Sequence, residues 1–208
     1  MDQTKGDWLV KEPEVEVSKS TNGAPVTVIV TITAVMTAFV FVVTYFLSVP
    51  IPNLGGQAVF DAGDTAIFIS SLTFGPIVGA IAGGVGSGLS DAAYGSSYAP
   101  FTLVVKGLEG LLAGYVASRV RLTNRDVIGW ALGATAMVVG YFLTNWFLIG
   151  LVYGANSSAA QAVGLTFAIG EAPFDTIQVV AGGLIGLPVS RRLRKTLPAR
   201  FFPRQLGD

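Results

Sequence analysis

Residues 101–113 read FTLVVKGLEGLLA, an apolar run that carries two charged residues, Lys106 and Glu109, near its middle. The run lies within residues 100–118, a stretch close to the roughly 20 residues that a helix needs to cross a bilayer. Ionisable side chains at membrane depth cost about 3 kcal/mol or more unless they face a cavity or a partner. The stretch therefore predicts a membrane helix with a specific use for its two charges.

The composition of the whole chain indicates a membrane protein. Only 12% of its 208 residues are charged, about half the share in a soluble domain, and the mean hydropathy is +0.62. The formal net charge is zero, which gives no reason to expect nucleic acid or an acidic partner. Cysteine and histidine are absent, which excludes disulfides, thiolate catalysis, Cys/His zinc sites and histidine proton relays.

Proline, glycine and charged residues divide the apolar part of the chain into six predicted spans. Pro76, Pro100 and Pro173 each stand where a helix could begin, the position that tolerates proline best. The second segment is too short to cross a bilayer unless it is tilted or begins in the preceding loop. The predicted spans are residues 25–49, 64–74, 76–94, 100–118, 127–153 and 173–190. The sequence thus predicts an all-α membrane protein, a bundle of six transmembrane helices.

Positive charges flanking the spans predict the orientation of this bundle. Between residues 20 and 118 the only cation is Lys106, and none occurs between residues 126 and 190. The basic clusters are Arg119, Arg121 and Arg125, and then Arg191, Arg192, Arg194 and Lys195. Six spans place both clusters and both termini in the cytoplasm, with outer loops at 50–63, 95–99 and 154–172. The membrane domain at 25–195 then lies between a flexible cytoplasmic tail at 1–24 and a second cytoplasmic tail at 196–208.

Polar residues of several spans fall at a similar depth in the outer half of the predicted bundle. Thr102, Lys106 and Glu109 share one helical face, since they are spaced i, i+4 and i+7. The same spacing relates three residues of span six, and Tyr141 and Asn145 of span five are four apart. Asp61, Asp64 and Asp91 lie near outer ends of spans two and three. We predict a pocket for one small polar molecule with contacts from Asp64, Lys106, Glu109, Tyr141, Asn145, Glu171, Asp175 and Gln178.

Six of the eight predicted pocket residues have a chemical role that fits a small, flat, polar heterocycle. Lys106 would be the cationic donor, and Glu109 and Glu171 would be acceptors. The amides of Asn145 and Gln178 would discriminate between ligands, and Tyr141 would offer a ring face and a hydroxyl. The alternative is structural: Lys106 pairs with Glu109, Asp91 or Asp175 inside the bundle, without a ligand.

Small residues indicate close helix packing in two places. Gly79 and Gly83, then Gly84 and Gly88, repeat at a spacing of four in the third span. In the first span, Ala34 and Ala38 form a small-xxx-small pair that lets another helix approach, from this chain or from a partner. The aromatic residues near the outer boundary fit an interfacial belt, although one or two could stack on a flat ligand. They are Phe60, Tyr94, Tyr98, Phe101, Trp146 and Phe174.

Several of these motifs together resemble a known family. They are AxxxA in span one, FDAGDTAIFISSLTFGPIVGAIAGGVGSGLSD at 60–91, YAPFTLVVKGLEGLLAG at 98–114 and GEAPFDTIQVVAGGLIGLPVSRRLRK at 170–195. The chain is similar, over about 25–195, to the substrate-binding S component of an energy-coupling factor (ECF) vitamin transporter. Within that family it most resembles carriers of riboflavin, pyridoxine and hydroxymethylpyrimidine. Substrate identity does not follow from the resemblance, because pockets differ between members of one fold.

The resemblance implies a protein of the prokaryotic plasma membrane that captures a vitamin or precursor from outside with high affinity. It would associate through span one with a transmembrane coupling protein driven by two cytoplasmic ATPases. Ala34 and Ala38 would be the docking surface, and the loop at 50–63 would be the lid of the site. No cofactor, metal or enzymatic activity is implied.

The sequence supports this mechanism in one respect and leaves alternatives in others. It contains no Walker-type phosphate loop, so ATP-driven transport requires partner chains. A standalone secondary transporter is an alternative, but no inverted repeat or matching pair of broken helices is evident. A channel would need a ring of ligands from several copies, and an intramembrane enzyme would need a nucleophile and base that cannot be named.

Overall fold

The computed structural model describes residues 25–53, 56–152, 158–198 and 201–202, so the predicted tail at 1–24 and most of 196–208 lie outside the described residues. Within these ranges the chain forms six helices and one antiparallel pair of strands. In chain order they are α1 (Val26–Phe46), β1 (Ser48–Asn53), β2 (Gly56–Asp61), α2 (Gly63–Phe74), α3 (Pro76–Ala93), α4 (Ala99–Arg119), α5 (Arg125–Val152) and α6 (Ser158–Thr196).

The first five helices follow the predicted spans to within a few residues at each end. Pro76 is the first residue of α3, and Pro100 lies in the first turn of α4, as their helix-starting positions predict. Among the helices that the structure describes, four are long and apolar enough to cross a membrane: α1, α4, α5 and α6. The 12-residue α2 is almost completely buried. It therefore lies inside the bundle and does not have to be long enough to span a bilayer.

The prediction for the last span was wrong in extent. Residues 154–172 were expected to form an outer loop and 173–190 a helix, but α6 runs without interruption for 39 residues from Ser158 to Thr196. Pro173 and Pro188 lie inside it and do not begin it. Proline is tolerated in membrane helices because neighbouring helices and local adjustments satisfy the freed backbone groups. Proline at 173 was therefore a poor boundary signal in this environment.

The segment predicted as an outer loop at 50–63 forms a β-hairpin for most of its length. Val49 pairs with Phe60 and Ile51 with Ala58. Helix α1 ends at Phe46, before the prolines at 50 and 52, which lie in β1 although they lack N–H donors. They are two residues apart, so both ring nitrogens lie on the same edge of β1 and can point away from β2.

Glycines bring the backbones of α3 and α4 into contact, as their spacing predicts. A Cβ atom at Gly83 would lie 2.6 Å from the carbonyl oxygen of Lys106, and one at Gly84 would lie 2.6 Å from that of Leu103. Both distances are far below van der Waals contact. The absence of side chains at these positions therefore sets the position of Lys106 in the bundle.

The apolar core surrounds α2 and keeps it in place. Phe68 and Leu72 of α2 pack with Val105 of α4, Met137 of α5 and Val179 of α6, and all are at least nine-tenths buried. Burial of each large apolar side chain contributes about 1.5–3 kcal/mol. This packing fixes the first turn of α2, with Asp64, opposite the middle of α4.

Candidate functional site

A cavity of about 480 Å³ lies between the hairpin and the neighbouring ends of the helices, within the usual size range of small-molecule sites. Its walls combine carboxyl, hydroxyl, amide and aromatic groups. The lining residues are Thr44, Ser48, Pro50, Val59, Asp61, Asp91, Tyr94, Ser96, Tyr98, Thr102, Lys106, Met137, Tyr141, Phe167, Glu171, Asp175 and Gln178.

A buried ion pair joins α2 to α4 at the inner wall of the cavity. Lys106 Nζ donates a hydrogen bond to Asp64 Oδ1, and Glu109 Oε2 lies 3.7 Å from the same nitrogen. All three side chains are at most 2% exposed. The sequence suggested Glu109, Asp91 and Asp175 as partners of Lys106, and of these Glu109 lies within ion-pair distance. The hydrogen bond goes instead to Asp64, because the buried α2 presents its first turn to α4.

Lys106 lines the cavity as well as pairing with Asp64. Its Nζ lies 5.5 Å from the centroid of the Tyr141 ring, within the range of a cation–π interaction. The Tyr141 hydroxyl donates to Thr102 Oγ1 over 3.1 Å, and Thr102 donates to Asp91 Oδ2 over 2.5 Å. This chain of hydrogen bonds connects α5, α4 and α3 along one wall of the cavity.

Gln178 of α6 connects the hairpin to the buried ion pair. Its amide oxygen accepts from the backbone N–H of Asp61 over 2.9 Å. Its Nε2 donates to Asp64 Oδ2 over 2.9 Å and to Asp61 Oδ2 over 3.3 Å. Burial raises the pKa of Asp61 to about 6, although the charge of Lys106 opposes this shift. One amide therefore holds the end of β2, α2 and α6 together.

The two carboxyl groups of α6, those of Glu171 and Asp175, differ in their partners. Glu171 accepts a hydrogen bond from Asn145 Nδ2 of α5. Asp175 is 5% exposed, and its Oδ2 has no hydrogen-bond partner among the described residues.

The structure brings five of the eight predicted site residues to the cavity and leaves three behind its wall. Asp64, Glu109 and Asn145 are fully buried and hold Lys106 or Glu171, without lining the cavity themselves. The five lining residues are Lys106, Tyr141, Glu171, Asp175 and Gln178.

Several lining residues were not predicted as part of the site. Asp61, Asp91 and Thr102 are polar residues at the depth of the predicted pocket, and the predicted set does not include them. Tyr94 and Tyr98 are among the aromatic residues for which the sequence favoured an interfacial belt and left stacking on a ligand as the alternative, and both line the cavity. The apolar lining residues, such as Met137 and Phe167, carry no signal in the sequence that separates them from core residues.

Replacing Gln178 with leucine is expected to lower the free energy of unfolding by about 1–3 kcal/mol. Leucine keeps most of the volume but leaves the Asp61 N–H and Asp64 Oδ2 without their partner. Thermal unfolding of the purified protein measures the change. The matched control is Gln161→Leu, at an exposed position of the same helix, which should leave stability within about 0.5 kcal/mol. Equal effects of the two variants would contradict a structural role for the Gln178 amide.

A second cavity is an open, apolar groove of about 1030 Å³ between α1 and α3. Ala34 and Ala38, both exposed, lie in it, together with Thr37 of α1 and Ile81 of α3. The predicted small-residue pair is thus available at the surface. Within the described residues, no cluster of Asp or Glu side chains is placed to hold a metal ion.

Several known proteins similar to this chain are membrane transport components. A family model described as ECF-type riboflavin transporter, S component, matches residues 26–195. The thiamine precursor transporter HmpT of Lactococcus lactis subsp. cremoris is 31% identical over 167 residues, which cover 80% of this chain and 87% of that protein. The riboflavin transporter RibU of Staphylococcus aureus is 25% identical over 169 residues, covering 79% and 89%.

One further protein and two solved structures also match this chain. An uncharacterized protein of Pyrococcus woesei is 34% identical over 158 residues, 76% of this chain and 96% of that protein. Among solved structures, the S component of a bacterial ECF transporter superimposes with a TM-score of 0.61 at 20% identity, covering 80% and 95% of the two chains. The S component for biotin from an ECF-type ABC transporter gives 0.51 at 18% identity, covering 85% and 95%. At these identities the structural matches show a shared fold.

Proposed function

Since this chain belongs to the family of ECF-type riboflavin transporter S components, we propose that it is the high-affinity substrate-capture subunit of an ATP-driven importer. Its substrate would be a small vitamin or vitamin precursor. The chain is a membrane-integral transport component and belongs to a family of transporters, not of enzymes.

The observation that carries the proposal is the polar cavity beneath the hairpin. Side chains of α3, α4, α5 and α6 converge on it, and the hairpin covers one side. A small protein that keeps so many buried polar groups around one cavity must recover their desolvation cost, and a polar ligand does so. We propose that this end of the bundle faces outward and that both termini lie in the cytoplasm.

Energy would come from partner chains. The sequence has no Walker-type phosphate loop, so we propose a transmembrane coupling protein and a pair of cytoplasmic ATPases as partners. The apolar groove that contains Ala34 and Ala38 is the proposed docking surface for the coupling protein. It lies on α1, whose apolar segment is only 6% buried within this chain.

The proposed substrate is a pyrimidine-like or pyridoxine-like precursor in preference to riboflavin. The greater identity to HmpT than to RibU supports this choice. The cavity lining also supports this choice, because its polar side chains outnumber its aromatic rings. Lys106 would donate to the ligand, Glu171 would accept, Gln178 would discriminate by its amide and Tyr141 would cover one ring face. Asp64, Glu109 and Asn145 would act by holding these side chains in place.

Thermal-shift screening of the purified chain against a panel of vitamins and precursors tests the proposal. A bound ligand at 100 times its Kd stabilises the folded protein by about 2.7 kcal/mol, which corresponds to a rise in Tm of roughly 5–10 °C. We expect such a rise with one heterocyclic vitamin or precursor. Stabilisation by ions or lipids alone, or flux of a solute into proteoliposomes containing only this chain, would contradict the proposal.

A further inference from the structure

The cavity beneath the hairpin carries an excess of carboxyl groups. Four line it, from Asp61, Asp91, Glu171 and Asp175, against one cationic side chain, Lys106, among the described lining residues. That lysine already has two acidic neighbours outside the lining. It donates a hydrogen bond to Asp64, and Glu109 lies 3.7 Å from its Nζ. Lys106 therefore cannot neutralise the other carboxyl groups as well.

The four carboxyl groups differ in how well the protein itself satisfies them. Asp91 accepts from Thr102, Glu171 accepts from Asn145, and Asp61 accepts from the backbone N–H of Gly63 over 2.6 Å and from Gln178. Asp175 stands apart, because its Oδ2 is buried without any donor among the described residues. It is also 95% buried and forms part of the cavity lining.

A buried carboxyl oxygen without a donor is costly, and such groups in folded proteins are nearly always hydrogen-bonded. In a ligand-binding cavity, the missing donor is supplied most directly by the ligand. The excess of carboxyl groups favours a ligand with an amino group or a protonated ring nitrogen, since hydrogen bonds between charged groups are the stronger ones. A phosphorylated ligand would meet repulsion from the same groups.

We propose that Asp175 anchors an amino group or a protonated ring nitrogen of the substrate, so that the cavity selects amino-substituted nitrogen heterocycles over their oxo analogues. This inference rests on the proposed function and specifies its substrate class. In the same complex, Lys106 donates to a hydroxyl oxygen of the molecule and Tyr141 faces its ring. Asp175 is thus the residue that determines specificity.

Calorimetry on the full purified chain with two matched probes tests this assignment. The probes are 4-amino-5-hydroxymethyl-2-methylpyrimidine and its 4-oxo analogue, in which a carbonyl acceptor replaces the amino donor and the adjacent ring nitrogen carries a hydrogen. The unmodified protein is expected to bind the amino probe about 10- to 100-fold more tightly than the oxo probe. The Asp175→Asn variant should lose this preference through weaker binding of the amino probe, with the oxo probe changed less than about threefold.

The stability of the ligand-free variant separates recognition from a structural role. Because Asp175 Oδ2 has no donor within the described chain, Asp175→Asn should leave the Tm of the ligand-free protein unchanged or raise it. A structural role predicts a lower Tm and equal weakening of both probes, which would overturn the inference. The matched control is Asp126→Asn at the start of α5, outside the cavity lining, which should leave the ratio of the two affinities unchanged.

The outcomes of these measurements separate failure of this inference from failure of the proposed function on which it rests. If riboflavin, or another vitamin without an amino donor, binds tightly while neither pyrimidine probe does, the capture function stands and the role of Asp175 is overturned. If no vitamin or precursor in the panel binds, both fail. Equal affinity of the unmodified protein for the two probes also overturns the inference, and that measurement needs no variant to fold.

Discussion

Replacing Lys106 with methionine is expected to lower the free energy of unfolding by about 3–5 kcal/mol, because it leaves a buried carboxyl group without its counter-charge. Asp64 is fully buried, and its remaining donor from a side chain is the Gln178 amide. Methionine keeps the length of the lysine stem, so packing against Tyr141 changes little. Thermal unfolding in one fixed detergent measures the loss, and the variant should also lose measurable affinity for the substrate.

A double variant separates the two consequences of this change. Lys106→Met with Asp64→Asn should recover part of the lost stability, since it removes one of the two buried carboxylates left without a cation, while Glu109 remains. Ligand affinity should stay low, because Lys106 is the proposed cationic donor in the cavity. Wild-type stability of the single variant would show that the two groups are not coupled. Full recovery of binding in the double variant would remove Lys106 from the site.

Much of the helical architecture could be predicted from the sequence. The errors of that prediction have one physical cause. Proline and glycine were interpreted by rules for chains in water, where a proline interrupts a helix. Those rules gave the correct starts of α3 and α4. They failed at Pro173, which lies inside α6. There tertiary contacts remove the penalty, and local sequence does not report that condition.

The site was predictable only in part, for a related reason. Helical spacing correctly placed Lys106 beside Glu109 on one face, but spacing along one helix cannot rank partners from another. Asp64 receives the hydrogen bond because glycines in α3 and the buried α2 set the distance across the bundle. Polar residues at membrane depth could be found from sequence since each is costly there. Which of them line the cavity depends on the hairpin, whose strands were not predicted.

Replacing Ala34 or Ala38 with tryptophan is expected to abolish uptake by the complete transporter while leaving substrate affinity unchanged. Both residues are exposed in the apolar groove between α1 and α3, and neither lines the cavity beneath the hairpin. A large side chain there would hold a partner helix away, and van der Waals packing is the main attraction between helices in lipid. The measurements are uptake by cells that contain all subunits and affinity of the purified variant.

A matched control on the same helix makes this result specific to the groove. Val35 is 55% exposed but does not line the groove, so Val35→Trp adds a similar bulk in another direction. It should leave both uptake and affinity close to wild type, since effects at separated sites are nearly independent. Normal uptake by both alanine variants would exclude this groove as the docking surface. Loss of binding together with uptake would show that the small residues serve packing within the chain, because a docking contact alone acts only after the substrate is bound.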